Sequence, residues 1–283
     1  MKMNDLKIIK IGGKLIDDEA MLNAFLKDFA EIKEPKVLIH GGGTIASQIS
    51  NELGITVKQI DGRRITDDAT LDIITMAYAG KINKNIVARL QALDCNALGL
   101  TGADGNSITS KIRDKSPIDF GHVGDPVKVN TTFIQSLLDQ EITSVFCAIT
   151  HDGAGQLLNT NADTVAAVLS SAFALRNEPA GERRPEFVEG RRPKPVEEKA
   201  YRTKLYYCFE KAGVLRNIND ESSLIEHINF KQYQQLKNDG VIADGMLPKL
   251  QNSFEALENG VSSVHIGLPS MINSNINHTT LSL

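Results

Sequence analysis

No apolar run in this 283-residue chain approaches the roughly 20 residues needed to cross a bilayer. The opening stretch, residues 1–13, has no long apolar segment and no small-residue cleavage site, so no secretory signal is expected. An excess of one charge is missing too. Lys+Arg number 31 and Asp+Glu 35, a net charge of −4, which excludes the basic signature of a general nucleic-acid binder. Cysteine is scarce: Cys95, Cys147 and Cys208 are far apart, odd in number and without paired ligand spacing. That excludes a disulfide framework and a zinc site, and leaves buried free thiols in a reducing cytoplasm as the expectation. Two familiar nucleotide signatures are absent as well. There is no G-x-G-x-x-G after the early strands. Gly13-Lys14 mimics the end of a P-loop, but Ile8 stands where glycine is required and Leu15 where Ser or Thr is required. What remains, 41% hydrophobic and 23% charged, is the composition of a folded globular chain.

Periodicity organises that chain. Leu6–Ile11 reads as a strand stopped by Gly12-Gly13. Met21, Leu22, Phe25, Leu26, Phe29 and Ile32 recur at helical spacing, predicting a helix over about 19–32. Val37–Ile39 is a second strand, closed by His40-Gly41-Gly42-Gly43, and Thr44 can cap a helix running to Leu53. Further strands are expected at Ala97–Thr101, Ser144–Ile149, Leu205–Phe209 and Ser263–Gly267. Helices are expected at Asp68–Leu93, Thr132–Leu138, Ala162–Leu175 and Pro248–Glu258. Ile55–Thr66 reads as a β-hairpin. Strands alternating with helices predict the α/β class: a mostly parallel sheet with helices on both faces.

Arg176–Arg202 breaks the pattern. It holds four of the nine prolines, eight Lys/Arg and six Asp/Glu, without apolar periodicity. Such a segment buries too little surface to offset its ordering entropy, so a solvated insertion is expected. Its arginine pairs suggest phosphate or nucleic acid, but the interleaved acidic residues argue against that.

Several residues carry chemistry. In an open parallel sheet, ligands sit at the carboxyl ends of strands, where helix N-termini offer free N–H groups to anions. Gly12-Gly13 alone is an ordinary tight turn; with Gly41-Gly42-Gly43 at the next strand end, both turns face one crevice. Lys10 interrupts an apolar strand just before the first turn, either as a solvent-facing lysine or as a cation placed for an anion. Asn159, Asn161 and Asp163 open a helix, where any one of them could be a cap, yet together exceed what a cap needs. Lys249 stands in the first turn of a helix after Gly245-Met246-Leu247-Pro248. There it opposes the helix dipole, unless a salt bridge or an anionic partner compensates.

Taken in order, Lys10-Ile11-Gly12-Gly13, His40–Gly43, Gly62-Arg63-Arg64-Ile65-Thr66, Asn159–Asp163 and Asp244–Lys249 resemble the motifs of the amino acid kinase family. The resemblance spans nearly the whole chain except 176–202 and the last dozen residues. It is closest to the branch that phosphorylates an N-acylated glutamate. It implies a three-layer αβα sandwich in two lobes: residues 1–170 for the acylglutamate and for homodimer contacts, and 171–283 for the nucleotide. It also implies ATP, with Mg2+ carried by the nucleotide. The phosphoryl group would pass to the side-chain carboxylate of N-acetyl-L-glutamate, giving the 5-phosphate in the second step of arginine biosynthesis.

By the same resemblance Lys10 and Lys249 stabilise the transferring phosphoryl group and Asp163 holds both ammonium groups. Gly42, Gly43, Arg64 and Asn159 bind the acyl amino acid under a hairpin lid. Gly12, Gly13, Lys211, Gly213 and Met246 serve the nucleotide, and the N–H groups of Gly13 and Gly43 meet the moving phosphoryl oxygens. In the family's S-D-V-x-G stretch, matched here by Tyr207–Leu215, the glycine survives as Gly213 but the Asp becomes Glu210 or Phe209, depending on alignment, so the nucleotide contacts there depart from the pattern. Arginine-inhibited members carry an extra N-terminal helix; the five residues before the first strand are too few for one, so a dimer insensitive to arginine is expected. Two alternatives stay open: a kinase of another N-acylglutamate, such as the succinyl form, and a non-catalytic sensor of amino acid or nucleotide. Retention of Lys10, Asp163 and Lys249 argues against the sensor.

Overall fold

The computed structural model describes residues 4–60, 63–174, 201–242, 246–274 and 276–283. Strand β1 (Asn4–Ile11) leads through the glycine turn into a short helix α1 (Gly13–Asp17) and then α2 (Glu19–Glu31). Next come β2 (Lys36–His40), α3 (Gly43–Glu52), and the hairpin strands β3 (Gln59–Ile60) and β4 (Arg63–Arg64). Helix α4 (Asp68–Thr75) widens into a π-helical segment, Met76–Ile82, and resumes as α5 (Asn83–Gln91). Then follow β5 (Ala97–Leu100), β6 (Ile108–Ile112), β7 (Gly124–Val129), α6 (Thr131–Leu138), β8 (Thr143–Cys147), β9 (Ile149–His151) and β10 (Leu157–Asn159). The remainder holds α7 (Ala162–Phe173), β11 (Tyr201–Cys208), β12 (His227–Asn229), α8 (Phe230–Asn238), α9 (Met246–Glu258), β13 (Ser263–Gly267) and β14 (Thr279–Ser282).

Eight strands form the main sheet in the order β12-β14-β13-β11-β1-β2-β8-β5. Pairing is parallel except between β13 and β14. A second sheet, β10-β9-β6-β7, and the β3–β4 hairpin stand beside it. Each face of the main sheet has its own core. Leu6, Ile8, Val37 and Ile39 pack with residues of α6, α7, α8 and α9, whereas Ile9, Ile11 and Leu38 pack with α1, α2, α4 and α5. The two-residue period of β1 therefore puts Lys10 on the Leu6–Ile8 side, toward α7 and α9.

The expected α/β architecture is present, with several corrections. Asp68–Leu93 is not one α-helix, because the π-helical segment interrupts it. Ser144–Ile149 is two strands in two sheets, since the chain leaves the main sheet after Cys147. β11 begins at Tyr201 rather than near Leu205. Tyr201 is buried edge-on against Phe173, and Arg202 pairs with Asp5 at 2.6 Å, so both belong to the packed strand rather than to the insertion. The rest of that insertion lies outside the described residues, as do Leu175, Gly62, Asp244 and Gly245. No helix among the described residues is long and apolar enough to cross a membrane.

Candidate active site

β1 and α7 bring the first two charges together. Lys10 Nζ lies 2.6 Å from Asp163 Oδ1, without hydrogen-bond alignment. Lys249, from α9, donates to Asp163 Oδ2 at 2.7 Å. All three side chains are between 13% and 17% exposed, so the triad is nearly desolvated yet open on one side. Asn161 caps α7, accepting from the N–H groups of Asp163 and Thr164, and that cap fixes where the Asp163 side chain departs from the helix. Burial pushes the Asp163 carboxyl upward, but the two ammonium groups outweigh it and hold it well below the usual carboxylate range. Burial lowers the Lys249 ammonium, with Lys10 acting in the same sense and Asp163 opposing.

Tyr207 completes this cluster, and the sequence reading missed it. Its ring lies 4.5 Å from Lys249 Nζ, and its hydroxyl donates to the main-chain carbonyl of Asp163 at 3.1 Å. Only the structure reveals it: Tyr207 pairs with Lys10 in register, so both sit at the same level of adjacent strands.

The second turn lies at the end of β2. Gly42 has φ 154°, and a Cβ there would stand 2.2 Å from Ile82 Cδ1 and 3.0 Å from Tyr78 Cδ1. Only glycine lets the main chain approach the π-helical segment this closely. Gly43 begins α3, whose first N–H groups are free to meet an anion. His40 supports the turn from beneath. Asn83 Nδ2 donates to His40 Nε2 at 3.0 Å, which leaves Nδ1–H to donate to the Gly41 carbonyl at 2.8 Å.

Arg64 reaches this turn from β4. Nη2 donates to the Gly43 carbonyl at 3.0 Å and to Ser47 Oγ at 2.7 Å, while Nη1 is buried without a hydrogen-bond partner. A desolvated guanidinium N–H with no acceptor is costly and marks a place where an anion fits. Ser47, one turn into α3, was also not foreseen. Asn159, at the end of β10, donates to Thr66 Oγ1 at 3.0 Å, tying the small sheet to the strand end after the hairpin.

Gly12 donates its N–H to the Cys208 carbonyl at 3.0 Å, and Gly13 opens α1 with Thr44 Oγ1 3.7 Å from where a Cβ would be. Lys211 is half-buried in the loop after β11. Gly213 is buried, and a Cβ there would stand 2.4 Å from Thr279 Oγ1, so close packing against β14 accounts for this glycine. Met246 begins α9, partly buried against the core. The structure thus brings Lys10, Asp163 and Lys249 into contact and joins Gly43 to Arg64. A cavity of about 470 Å³ lies elsewhere, between β7, α7 and α9. Another, about 370 Å³, is lined by Ile16, Asp17, Thr44 and Lys81 beside the two turns.

Known proteins resemble this chain in sequence and in fold. A model of the amino acid kinase family matches residues 5–176. The chain is 49% identical over 278 residues to the acetylglutamate kinase of Cytophaga hutchinsonii, covering 96% of each chain. It is 46% identical over 269 residues to that of Bacteroides fragilis, covering 95% of this chain and 94% of the relative. Among solved structures, N-acetylglutamate synthase from Neisseria gonorrhoeae complexed with coenzyme A and N-acetyl-glutamate superposes with a TM-score of 0.76 at 20% identity, over 99% of this chain and 59% of that one. Carbamate kinase from Giardia lamblia bound to AMP-PNP gives 0.67 at 13% identity, over 100% and 99%. The shared fold, the family model and the relatives aligned along nearly the whole length lead to one assignment: the chain belongs to the amino acid kinase family.

Proposed function

We propose that the chain transfers the γ-phosphoryl group of ATP to the side-chain carboxylate of N-acetyl-L-glutamate, forming N-acetyl-L-glutamyl 5-phosphate in arginine biosynthesis. The observation that carries this reading is the Lys10–Asp163–Lys249 cluster between two glycine turns. The relatives named acetylglutamate kinase supply the acceptor.

The chemistry fits the residues. An acceptor carboxylate oxygen forms a bond to the γ-phosphorus, and the bond to the bridging oxygen breaks with its electron pair moving to ADP. The acceptor is already ionised at neutral pH, so no general base is needed. Asp163, held well below the usual carboxylate range, is correspondingly unsuited to take a proton. Its role is to fix two cations at separate carboxylate oxygens, where they neutralise charge spreading over the phosphoryl oxygens. N–H groups of Gly13 and Gly43 meet the same oxygens. Arg64 offers its free Nη1 to a substrate carboxylate, with Gly42, Gly43 and Asn159 around the acyl amino acid. Gly12, Gly13, Lys211, Gly213 and Met246 lie on the nucleotide side; Gly213 acts there by shaping the loop. Mg2+ arrives with ATP as substrate, held by phosphates and water. Among the described residues no group of three or more His, Cys, Asp or Glu side chains is placed to hold a metal ion.

Residues 1–170 form the acylglutamate lobe and carry the contacts of a homodimer, and residues 171–283 form the nucleotide lobe. The deciding experiment is a phosphoryl-transfer assay with ATP and either N-acetyl- or N-succinyl-L-glutamate, combined with light scattering of the free enzyme. Turnover with the acetyl substrate and the mass of two chains are expected. Turnover of the succinyl substrate alone, or ligand binding without turnover, overturns the reading.

A further inference from the structure

One lysine at the first glycine turn has no part in the roles above. Lys14 Nζ lies 2.7 Å from Glu210 Oε1. Lys14 is the second residue of α1, and Glu210 is the second residue beyond β11. β1 and β11 are parallel neighbours with Ile11 opposite Cys208, and Gly12 is bonded to Cys208 through the main chain. The pair therefore spans two adjacent strand ends, at the mouth of the crevice where Lys10 and Lys249 stand.

Charge around this mouth is unbalanced. In the two ion clusters and the loop after β11, Lys10, Lys14, Lys211 and Lys249 outnumber Asp163 and Glu210, while Asp17 of α1 adds one negative charge nearby. Glu210 sits within this field. Partial burial raises its carboxyl, but the bond from Lys14 and the nearby Lys211 prevail and lower it below the ordinary value. Glu210 also favours the charged form of Lys249. The Lys14 side chain is 74% exposed and that of Glu210 37%. A pair so exposed contributes about 0–1 kcal/mol, so parting it costs little. A triphosphate at the same turn carries several negative charges and outcompetes a single carboxylate for the ammonium group.

We propose that Lys14 is a nucleotide-phosphate ligand, held ready by Glu210 and transferred to the β- and γ-phosphates when ATP binds. Glu210 is the counter-ion of Lys14 in the free enzyme: it competes with the phosphates for the ammonium group and is released in the exchange. This inference rests on the kinase reading above. It also gives the altered Phe209–Gly213 stretch a purpose, since the acidic residue there is the one that holds Lys14.

Steady-state kinetics of the full-length enzyme test it, with ATP and N-acetyl-L-glutamate varied separately. Lys14→Met is expected to raise KM for ATP about five- to tenfold, with KM for the acyl amino acid within about twofold. Lys14→Arg keeps the charge and should stay near the wild type. Glu210→Gln should leave KM for ATP unchanged or lower it, because it removes a competitor and a repulsive charge. The double variant Lys14→Met/Glu210→Gln should match Lys14→Met. An unchanged KM for ATP in Lys14→Met overturns the inference. So does a rise in Glu210→Gln equal to that in Lys14→Met, which is the mark of a static latch between strand ends. Wild-type enzyme without ATP turnover would sink the kinase reading and this inference together, whereas intact turnover with an indifferent Lys14 sinks this one alone.

Discussion

The Tyr207 hydroxyl donates to the main-chain carbonyl of Asp163 while the Tyr207 ring lies beneath Lys249. One side chain thus braces both the anion and one of the cations at the centre of the crevice. Tyr207→Phe keeps the ring and loses only the hydroxyl, and should cost about 1 kcal/mol of stability with a kcat drop of about tenfold or less. Tyr207→Leu also removes the face under the ammonium and should lower kcat further. Urea unfolding alongside steady-state rates separates the two contributions; equal kcat in both variants would show that the ring does nothing for Lys249.

Lys10→Ala and Asp163→Ala should each lower kcat by about 10²–10³, with far smaller changes in either KM, because preorganised charge matters most as the phosphoryl group detaches. Asp163→Ala releases both lysines at once, so combining it with Lys10→Ala should add little. Single-turnover rates check this, and an undiminished kcat in either variant removes the proposed mechanism.

Arg64→Lys retains the charge but loses the planar fork that now holds Gly43 and Ser47 while offering Nη1. KM for the acyl amino acid should rise at least about tenfold and that for ATP should hold. A change confined to ATP would place Arg64 on the other substrate.

Lys10 was legible because a lysine in an apolar strand is conspicuous and the two-residue period gives its side. Arg64 was legible from the hairpin and its motif. Much of the rest was not. The β6–β7 pair runs through a polar, proline-containing stretch whose pattern matches no simple strand, and a bulge between Thr109 and Ser110 breaks its alternation. β14 is four residues long and depends on Thr279, whose hydroxyl bonds the main chain at Val214 and Ile225; such a tertiary anchor leaves no periodic trace. Val145–Ile149 is apolar throughout, so hydrophobicity could not tell where one sheet hands over to another.

Acid stability should follow the buried imidazoles. His40 is fully buried and His265 is stacked on Tyr206; burial lowers both to about 4. Their folded values lie below the unfolded value of about 6.5, so the unfolded chain takes up protons first as pH falls. Stability should be full above about pH 6.5 and decline progressively toward pH 4. His40 alone accounts for about 2 kcal/mol between pH 7 and pH 5. Urea midpoints across that range check it, and His265→Gln should show a shallower decline. A flat profile would contradict the neutral, buried state of these rings.

Gly42→Ala should be severe. The backbone strain at φ 154° and the collision with Ile82 and Tyr78 together predict a loss of about 2–4 kcal/mol and near-complete loss of activity. Thermal unfolding and the same assay report both effects, and a stable, active variant would mean that the turn can settle elsewhere.

The π-helical turn at Met76–Ile82 acts as a phase adjuster between two halves of one helical rod. An α-helix advances each residue by about 100°, so trimming one residue from the widened turn would rotate everything beyond it by that angle. Tyr78 would keep its place against Gly42, but Asn83 would swing away from His40 and from the Val145 carbonyl. The angular offset stored in that single wide turn is what lets one rod both press on the Gly42 main chain from above and hold the imidazole beneath it.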